Sequence, residues 1–324
     1  MSIVTGKSVL VTGGTGSFGR SFVRRLLADQ DPSRVVILSR DELKQYDFAS
    51  ELGQDPRVRF FLGDVRDPER LWRAFDGIEI VVHAAALKQI PAAEYNPFEA
   101  IKTNILGAQN VIDAALDRKV ERVLALSTDK ACSPINLYGA TKLVSDKLFV
   151  AANAYVGSKP TRFAVVRYGN VLGSRGSIVP LFKRLASSGT LPITDERMTR
   201  FWITLDQGVA FVLGALERMH GGEIFVPKIP SMKIVDLALA VAPDASLDVV
   251  GIRPGEKLHE QMISADDARR TVDAGDFYVI KPDIDWLESD AWTGAARLPE
   301  GFAYTSDTND DWLSPEQLRA MLDA

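Results

Sequence analysis

Six short apolar runs, separated by stretches of helical periodicity, constrain this 324-residue chain more than anything else it contains. Residues 8–11, 35–38, 58–62, 79–83, 123–126 and 163–166 have the length and β-branched content of buried strands. Helical patterns run over 18–27, 97–118 and 138–155, and Pro97 sits at a first turn, where its missing amide costs nothing. Runs apolar on both faces need cover on both, so the alternation predicts an α/β, doubly wound parallel sheet flanked by helices. A first domain is expected over 1–171, with a helix at about 204–220 returning to the sheet. After Arg167 the rhythm is broken by Gly173, Gly176, Pro180, Gly189 and Pro192. Residues 172–203 and 221–324 are therefore expected to form a smaller mixed α/β lobe and a C-terminal tail of unassigned fold.

The first strand runs into Gly13-Gly14-Thr15-Gly16-Ser17-Phe18-Gly19 and then into a helix. Glycines at 13, 16 and 19 let the backbone turn tightly and approach a pyrophosphate at the helix N-terminus, which is the dinucleotide fingerprint of the Rossmann fold. Gly13, Thr15, Gly16, Ser17, Phe18 and Gly19 are the expected phosphate cradle. The second strand ends in Ser39-Arg40-Asp41, with Lys44 one turn on. Ser39, Arg40 and Lys44 offer donors and positive charge to a 2′-phosphate, which favours NADP; Asp41 opposes this, and a solvated Arg40 is the alternative. Asp64 and Val65 are placed for the adenine, and Ala84, Ala85 and Ala86 for backbone contacts. Asn104, on the long helix, is counted with the cofactor shell, holding active-site backbone through water; a purely structural buried Asn is the alternative.

Past the fifth strand come Ser127-Thr128-Asp129-Lys130, then Tyr138 and Lys142. Tyr and Lys four apart share a helix face, and a nearby ammonium can lower a phenol's pKa and ready it to take an alcohol's proton. That suits hydride chemistry at a carbinol beside a nicotinamide.

Net charge is −5 and there is no basic run, which argues against nucleic acid or an anionic membrane as partner. Cys132 is the only cysteine, so no internal disulfide can form. No stretch approaches the roughly 18 apolar residues of a membrane span, and no signal peptide is read at the N-terminus. A soluble, cytoplasmic protein is expected. His83, His220 and His259 are scattered without metal spacing, and no metal is implied.

Together these elements resemble the extended short-chain dehydrogenase/reductase superfamily. Ser127-Thr128-Asp129-Lys130-Ala131, Tyr138-Gly139-Ala140-Thr141-Lys142, Arg197-Met198-Thr199-Arg200-Phe201 and Arg253-Pro254-Gly255-Glu256-Lys257 resemble nucleotide-sugar 4,6-dehydratases. Residues 39–45, Ser-Arg-Asp-Glu-Leu-Lys-Gln, match the inverting UDP-N-acetylglucosamine 4,6-dehydratases that begin pseudaminic acid biosynthesis. The resemblance implies a UDP-sugar substrate, a homo-oligomer and internal hydride transfer through NADP. It gives Tyr138, with Lys142, the 4-hydroxyl proton and Thr128 a hydrogen bond to that oxygen. Asp129 becomes the acid on the leaving C6 hydroxyl and Lys130 the base at C5, its pKa depressed by burial or by Lys142. Lys130 goes with C5 inversion, although some retaining relatives also carry Lys. Lys88, Asn170, Arg200, Arg253 and Glu256 are expected at the substrate. Alternatives are a 4-epimerase, which needs no acid–base pair at C5 and C6, and a cofactor-sensing protein without turnover.

Overall fold

The computed structural model describes residues 2–173, 178–283 and 290–323; Gly176, expected to break the pattern, lies outside them. Strands and helices alternate as β1 Ser8–Thr12, α1 Ser17–Asp29, β2 Arg34–Ser39, α2 Glu42–Leu52, β3 Val58–Leu62, α3 Pro68–Ala74 and β4 Ile80–His83. They continue as α4 Ile90–Tyr95, α5 Pro97–Ile101, α6 Gly107–Arg118, β5 Arg122–Thr128, α7 Leu137–Ala152 and β6 Arg162–Tyr168. The strands pair in parallel in the order β3-β2-β1-β4-β5-β6. All residues of β1 and β4 are buried, as strands covered on both faces must be. Strand order reverses between β1 and β4, so the loops leaving them diverge and open a crevice at the carboxyl ends of the strands. The helix Leu205–Arg218 packs on α1 and against β5 and β6.

The expected helix over 97–118 is interrupted. Between α5 and α6 the turn Lys102–Leu106 is π-helical, and it places Asn104 in the interior. Such single turns change which side chain faces inward without ending the helix.

Residues 221–324, expected as part of a smaller lobe and a tail of unassigned fold, also contribute strands to the large sheet. Ile224–Pro227 adds in parallel beside β6, and Phe277–Ile280 pairs antiparallel with it. Thr271–Asp273 and Ala296–Arg297 extend the same sheet outward. The run Ile224-Phe225-Val226 follows Gly221 and Gly222, both at positive φ, and is too short for periodicity to assign. A separate apolar cluster gathers Phe182, Leu191, Met198, Trp202, Met232, Leu237 and Leu318 around the segments 178–202, 231–241 and 315–323. Tyr304–Thr305 pairs with Gln261–Ile263, which ties the tail to the chain that precedes the outer strands.

Candidate active site

A continuous cleft of about 1150 Å³ crosses the carboxyl ends of the strands. Its wall includes every residue expected at the cofactor except Asn104, and also Thr128, Lys130, Lys88, Asn170, Arg200, Arg253 and Glu256. Asp129 and Asn104 lie behind that wall.

The cofactor end is shaped by missing side chains. Gly13 has φ +66, and a Cβ there would meet the Ala85 backbone at 2.9 Å. A Cβ on Gly19 would meet Gly14 at 2.5 Å. Gly16 caps α1 with no side-chain hydrogen bond to the first-turn amides, as a pyrophosphate site requires. These residues fit a dinucleotide. At the far end Asp41 accepts from the Lys44 amide at 3.0 Å, capping α2, and pairs with the Lys44 ammonium at 2.7 Å. Asp41 is thereby engaged, and so is the Lys44 charge; Ser39 and the half-exposed Arg40 are the remaining donors. Arg40 lies 3.7 Å from Asp64, which Arg66 holds more closely at 2.7 Å. Asn104, counted with the cofactor shell, is buried behind the wall and off the cleft surface. Its amide bonds the Leu87 N–H (2.8 Å), the Leu87 carbonyl (2.9 Å) and the Thr141 hydroxyl (3.0 Å), directly rather than through water.

The residues expected to be catalytic meet because β5 ends at Thr128 and the chain turns at once through a 3-10 turn, Asp129–Ala131. Helix α7 starts under that turn, capped by Asn136, whose side chain accepts from the Gly139 amide at 2.8 Å. Gly139 permits the approach: a Cβ there would stand 2.2 Å from the Lys130 carbonyl oxygen. Tyr138 and Lys142, one turn apart, then face the cleft beside Thr128 and Lys130. Asp129 is fully buried, and its Oδ1 accepts from the Thr128 hydroxyl and the Lys130 ammonium, both at 2.9 Å. Its Oδ2 has no partner. Lys130 Nζ also lies 3.4 Å from Asn170 Oδ1 and 3.3 Å from Glu260 Oε1.

Two electrostatic expectations need correction. Burial pushes the Tyr138 phenol up to about 12, and the groups that oppose this are Lys130 and the Thr128 hydroxyl, not Lys142. Lys142 is itself pushed down by burial, against the pull of Asp146. Lys130 is not depressed either: burial lowers it, but Asp129 and Glu260 outweigh burial and raise it. Asp129 is raised by burial and further by Glu260, with Lys130 opposing.

Of the substrate candidates, Arg200 is a strut. Its guanidinium bonds the Thr199, Leu258 and Lys257 carbonyls at 2.7–3.1 Å, so few donors remain for phosphate. Arg253 is largely exposed at the wall, with only a 3.8 Å pair to Glu256. Lys88 lines the cleft, its pKa lowered by burial and by Lys130. His83 is a core residue 2.8 Å from Thr12 Oγ1, pushed down to about 3 by burial. Among the described residues no group of His, Cys, Asp and Glu is arranged to hold a metal.

The sequence places substrate contacts along Tyr168-Gly169-Asn170-Val171, and all four residues line the cleft; Glu260, also on the wall, was missed. Glu260 precedes the short strand Gln261–Ile263, and nothing local separates a buried Glu there from a solvated one.

Comparison with known proteins gives the same picture. A family model described as polysaccharide biosynthesis protein matches residues 9–282. A Campylobacter jejuni protein named UDP-N-acetylglucosamine 4,6-dehydratase (inverting) is 57% identical over 321 residues, 96% of each chain. A UDP-glucose 4-epimerase of Rickettsia canadensis is 42% identical over 86% of this chain and 83% of its own. Among solved structures, Pen from Bacillus thuringiensis matches with a TM-score of 0.91 and 36% identity, covering 99% of this chain and 98% of Pen. The dTDP-glucose 4,6-dehydratase DesIV of Streptomyces venezuelae, with NAD and TYD bound, matches with a TM-score of 0.71 and 27% identity, covering 78% and 86%.

Proposed function

This chain belongs to the polysaccharide biosynthesis protein family, and from that premise we propose that it is a nucleotide-sugar 4,6-dehydratase acting on UDP-N-acetylglucosamine. The observation that carries the reading is the Asp129–Lys130 pair, with Lys130 beside Tyr138 on the cleft wall and Asp129 buried directly behind it. An epimerase needs the phenol and Thr128 but has no use for a second acid and base.

When bound, a nicotinamide supplies a reversible hydride acceptor and donor beside the sugar. Tyr138 takes the proton of the 4-hydroxyl, with Thr128 bonded to the same oxygen. The C4 ketone so formed acidifies the C5 hydrogen, which Lys130 removes while Asp129 protonates the departing C6 hydroxyl. The hydride taken from C4 returns at C6 while a proton is delivered to C5, and with the departed hydroxyl leaving as water this gives a 4-keto-6-deoxy sugar. The Asp129–Lys130 pair holds one proton between Oδ1 and Nζ, 2.9 Å apart. Shifting it from Nζ to Oδ1 produces a neutral amine and a carboxylic acid together, so base and acid arise in one move. Asp129 reaches the cleft only through Thr128 and Lys130, so its proton passes by one of them.

NADP is the proposed cofactor, supported by Ser39 and Arg40 at the end of β2 and by the engagement of Asp41 in capping α2. C5 inversion is proposed from the likeness to the C. jejuni protein named as inverting, and a place in pseudaminic acid biosynthesis and a cytoplasmic site are proposed from the sequence resemblance and composition alone. No helix among the described residues is long and apolar enough to cross a membrane. We also propose a homo-oligomer, supported by Tyr95, Phe98, Leu106 and Val144, all exposed on the neighbouring segments from α4 to α7. The segment 172–203 with residues 231–258 is the proposed sugar-nucleotide lobe. Incubation with UDP-N-acetylglucosamine should yield a product with the alkaline absorbance of a 4-keto sugar. UDP-N-acetylgalactosamine as sole product would instead make the protein an epimerase.

A further inference from the structure

Glu260 carries a buried carboxylate that the steps above do not use. Its side chain is 3% exposed and points into a knot of cations: Lys130 at 3.3 Å, Arg200 at 3.8 Å and Lys257 at 3.9 Å. One oxygen, Oε2, is buried and has no hydrogen-bond partner among the described residues. A buried carboxylate is costly, and an incompletely satisfied one more so, unless its field is used. Its backbone is pinned from the tail, with the Glu260 amide donating to Ser306 Oγ at 2.9 Å and the Ser306 amide to the Glu260 carbonyl at 2.8 Å. Thr199 Oγ1 braces Ser306 at 2.6 Å. The position is therefore fixed by chain more than forty residues away, across a two-stranded ladder.

We propose that Glu260 is a positioning residue of the elimination step: it anchors the Lys130 ammonium opposite Asp129 and keeps the shared proton on that pair at working pH. This rests on the dehydratase reading above. Lys130 lies between two carboxylates, 2.9 Å from Asp129 and 3.3 Å from Glu260, and Glu260 is the one on the cleft wall. The charged and titratable groups facing the pair are Glu260, Arg200, Lys88 and Tyr138, with Lys257 facing Glu260. Glu260 raises both members of the pair; the cations work against it. Interacting groups titrate as a unit, so removing this negative charge should move the pair's whole titration toward acid. Tyr138 responds to Lys130 and Asp129, whereas Glu260 is not among the groups that shift it. Oxidation at C4 should therefore be spared.

The test is Glu260→Gln in the holoenzyme, with two readouts across pH. The first is absorbance of the reduced nicotinamide formed on mixing with UDP-N-acetylglucosamine, which reports C4 oxidation. The second is solvent deuterium entering C5, which reports the Lys130 step. Expected is an unchanged first readout, and an acid limb of C5 exchange displaced to lower pH by roughly one unit. Glu260→Asp, which keeps the charge but withdraws it, should show a smaller shift in the same direction. Carbon-13 NMR of the Asp129 carboxyl in the free protein should follow the same order and needs no turnover. An unmoved limb with C4 oxidation intact overturns the proposal. So does loss of both steps in both variants with the Asp129 titration unmoved. Failure of the wild-type protein to form any 4-keto product defeats the dehydratase reading itself, before any variant is compared.

Discussion

The proposed reading gives each side chain of the site a separable duty. Tyr138→Phe should lower turnover by orders of magnitude, roughly 10²–10⁴-fold for a lost acid–base group, while cofactor still binds. Normal turnover in that variant would remove the phenol from the proton path, and a wild-type protein that binds cofactor without turnover would be a sensor. With the phenol pushed up to about 12 by burial, little phenolate exists at neutral pH. The sign follows: the phenolate is the base, so C4 oxidation should quicken as pH rises, up to about tenfold per unit until the phenol's working pKa is passed. A positively charged oxidised nicotinamide nearby shifts that point downward. Lys130→Ala should sharply reduce deuterium incorporation at C5; undiminished exchange would take Lys130 out of the base role. Arg40→Ala should weaken NADP relative to NAD by about tenfold or more, the worth of a charge-assisted hydrogen bond, as titration calorimetry would show. Equal losses for both cofactors would make Arg40 a solvated surface group.

At the level of elements, the decisive contact is a helix beginning beneath a turn. Gly139 lets α7 pass under the Asp129–Ala131 turn, and Gly139→Ala would push a methyl into the Lys130 carbonyl. Overpacking of this kind typically costs about 1–3 kcal/mol. Misplaced groups of about 1 Å cost on the order of 10²-fold in rate, so activity should fall further than the unfolding midpoint suggests. Unchanged kcat would mean that the turn adapts freely. The six strands, the glycine cradle and the Tyr138–Lys142 pair were legible in the sequence because each has a local signature: apolar runs, glycine spacing, helical phase; only the burial of β3 was misread, since it is the edge strand and has no fully buried residue. Asn104 was misplaced because a π turn resets helical phase without a distinctive residue. Glu260 was invisible because its burial is imposed by Ser306 and Thr199, distant in the chain. The Lys130 pKa was misjudged for the same reason: its second carboxylate comes from residue 260.

On the scale of the molecule, the large sheet supplies the cofactor crevice, while its continuation by Ile224–Pro227 and Phe277–Ile280 ties the tail to the same scaffold. Glu260 thus arrives at a reaction centre built mainly by the first half of the chain. Exposed Tyr95 and Phe98 predict self-association, and sedimentation should give more than one chain per particle; a monomer at working concentration would leave that face without a second copy. On the proposed reading, a phenol and an amine on the cleft wall and a carboxyl just behind it move protons while a single hydride leaves one carbon of the sugar and returns to another. Isotope tracing reads this transfer: UDP-N-acetylglucosamine carrying deuterium at C4 should give a 4-keto-6-deoxy product with that deuterium in the new C6 methyl group. Deuterium lost to solvent, or kept at C4 of an epimer, would contradict internal transfer.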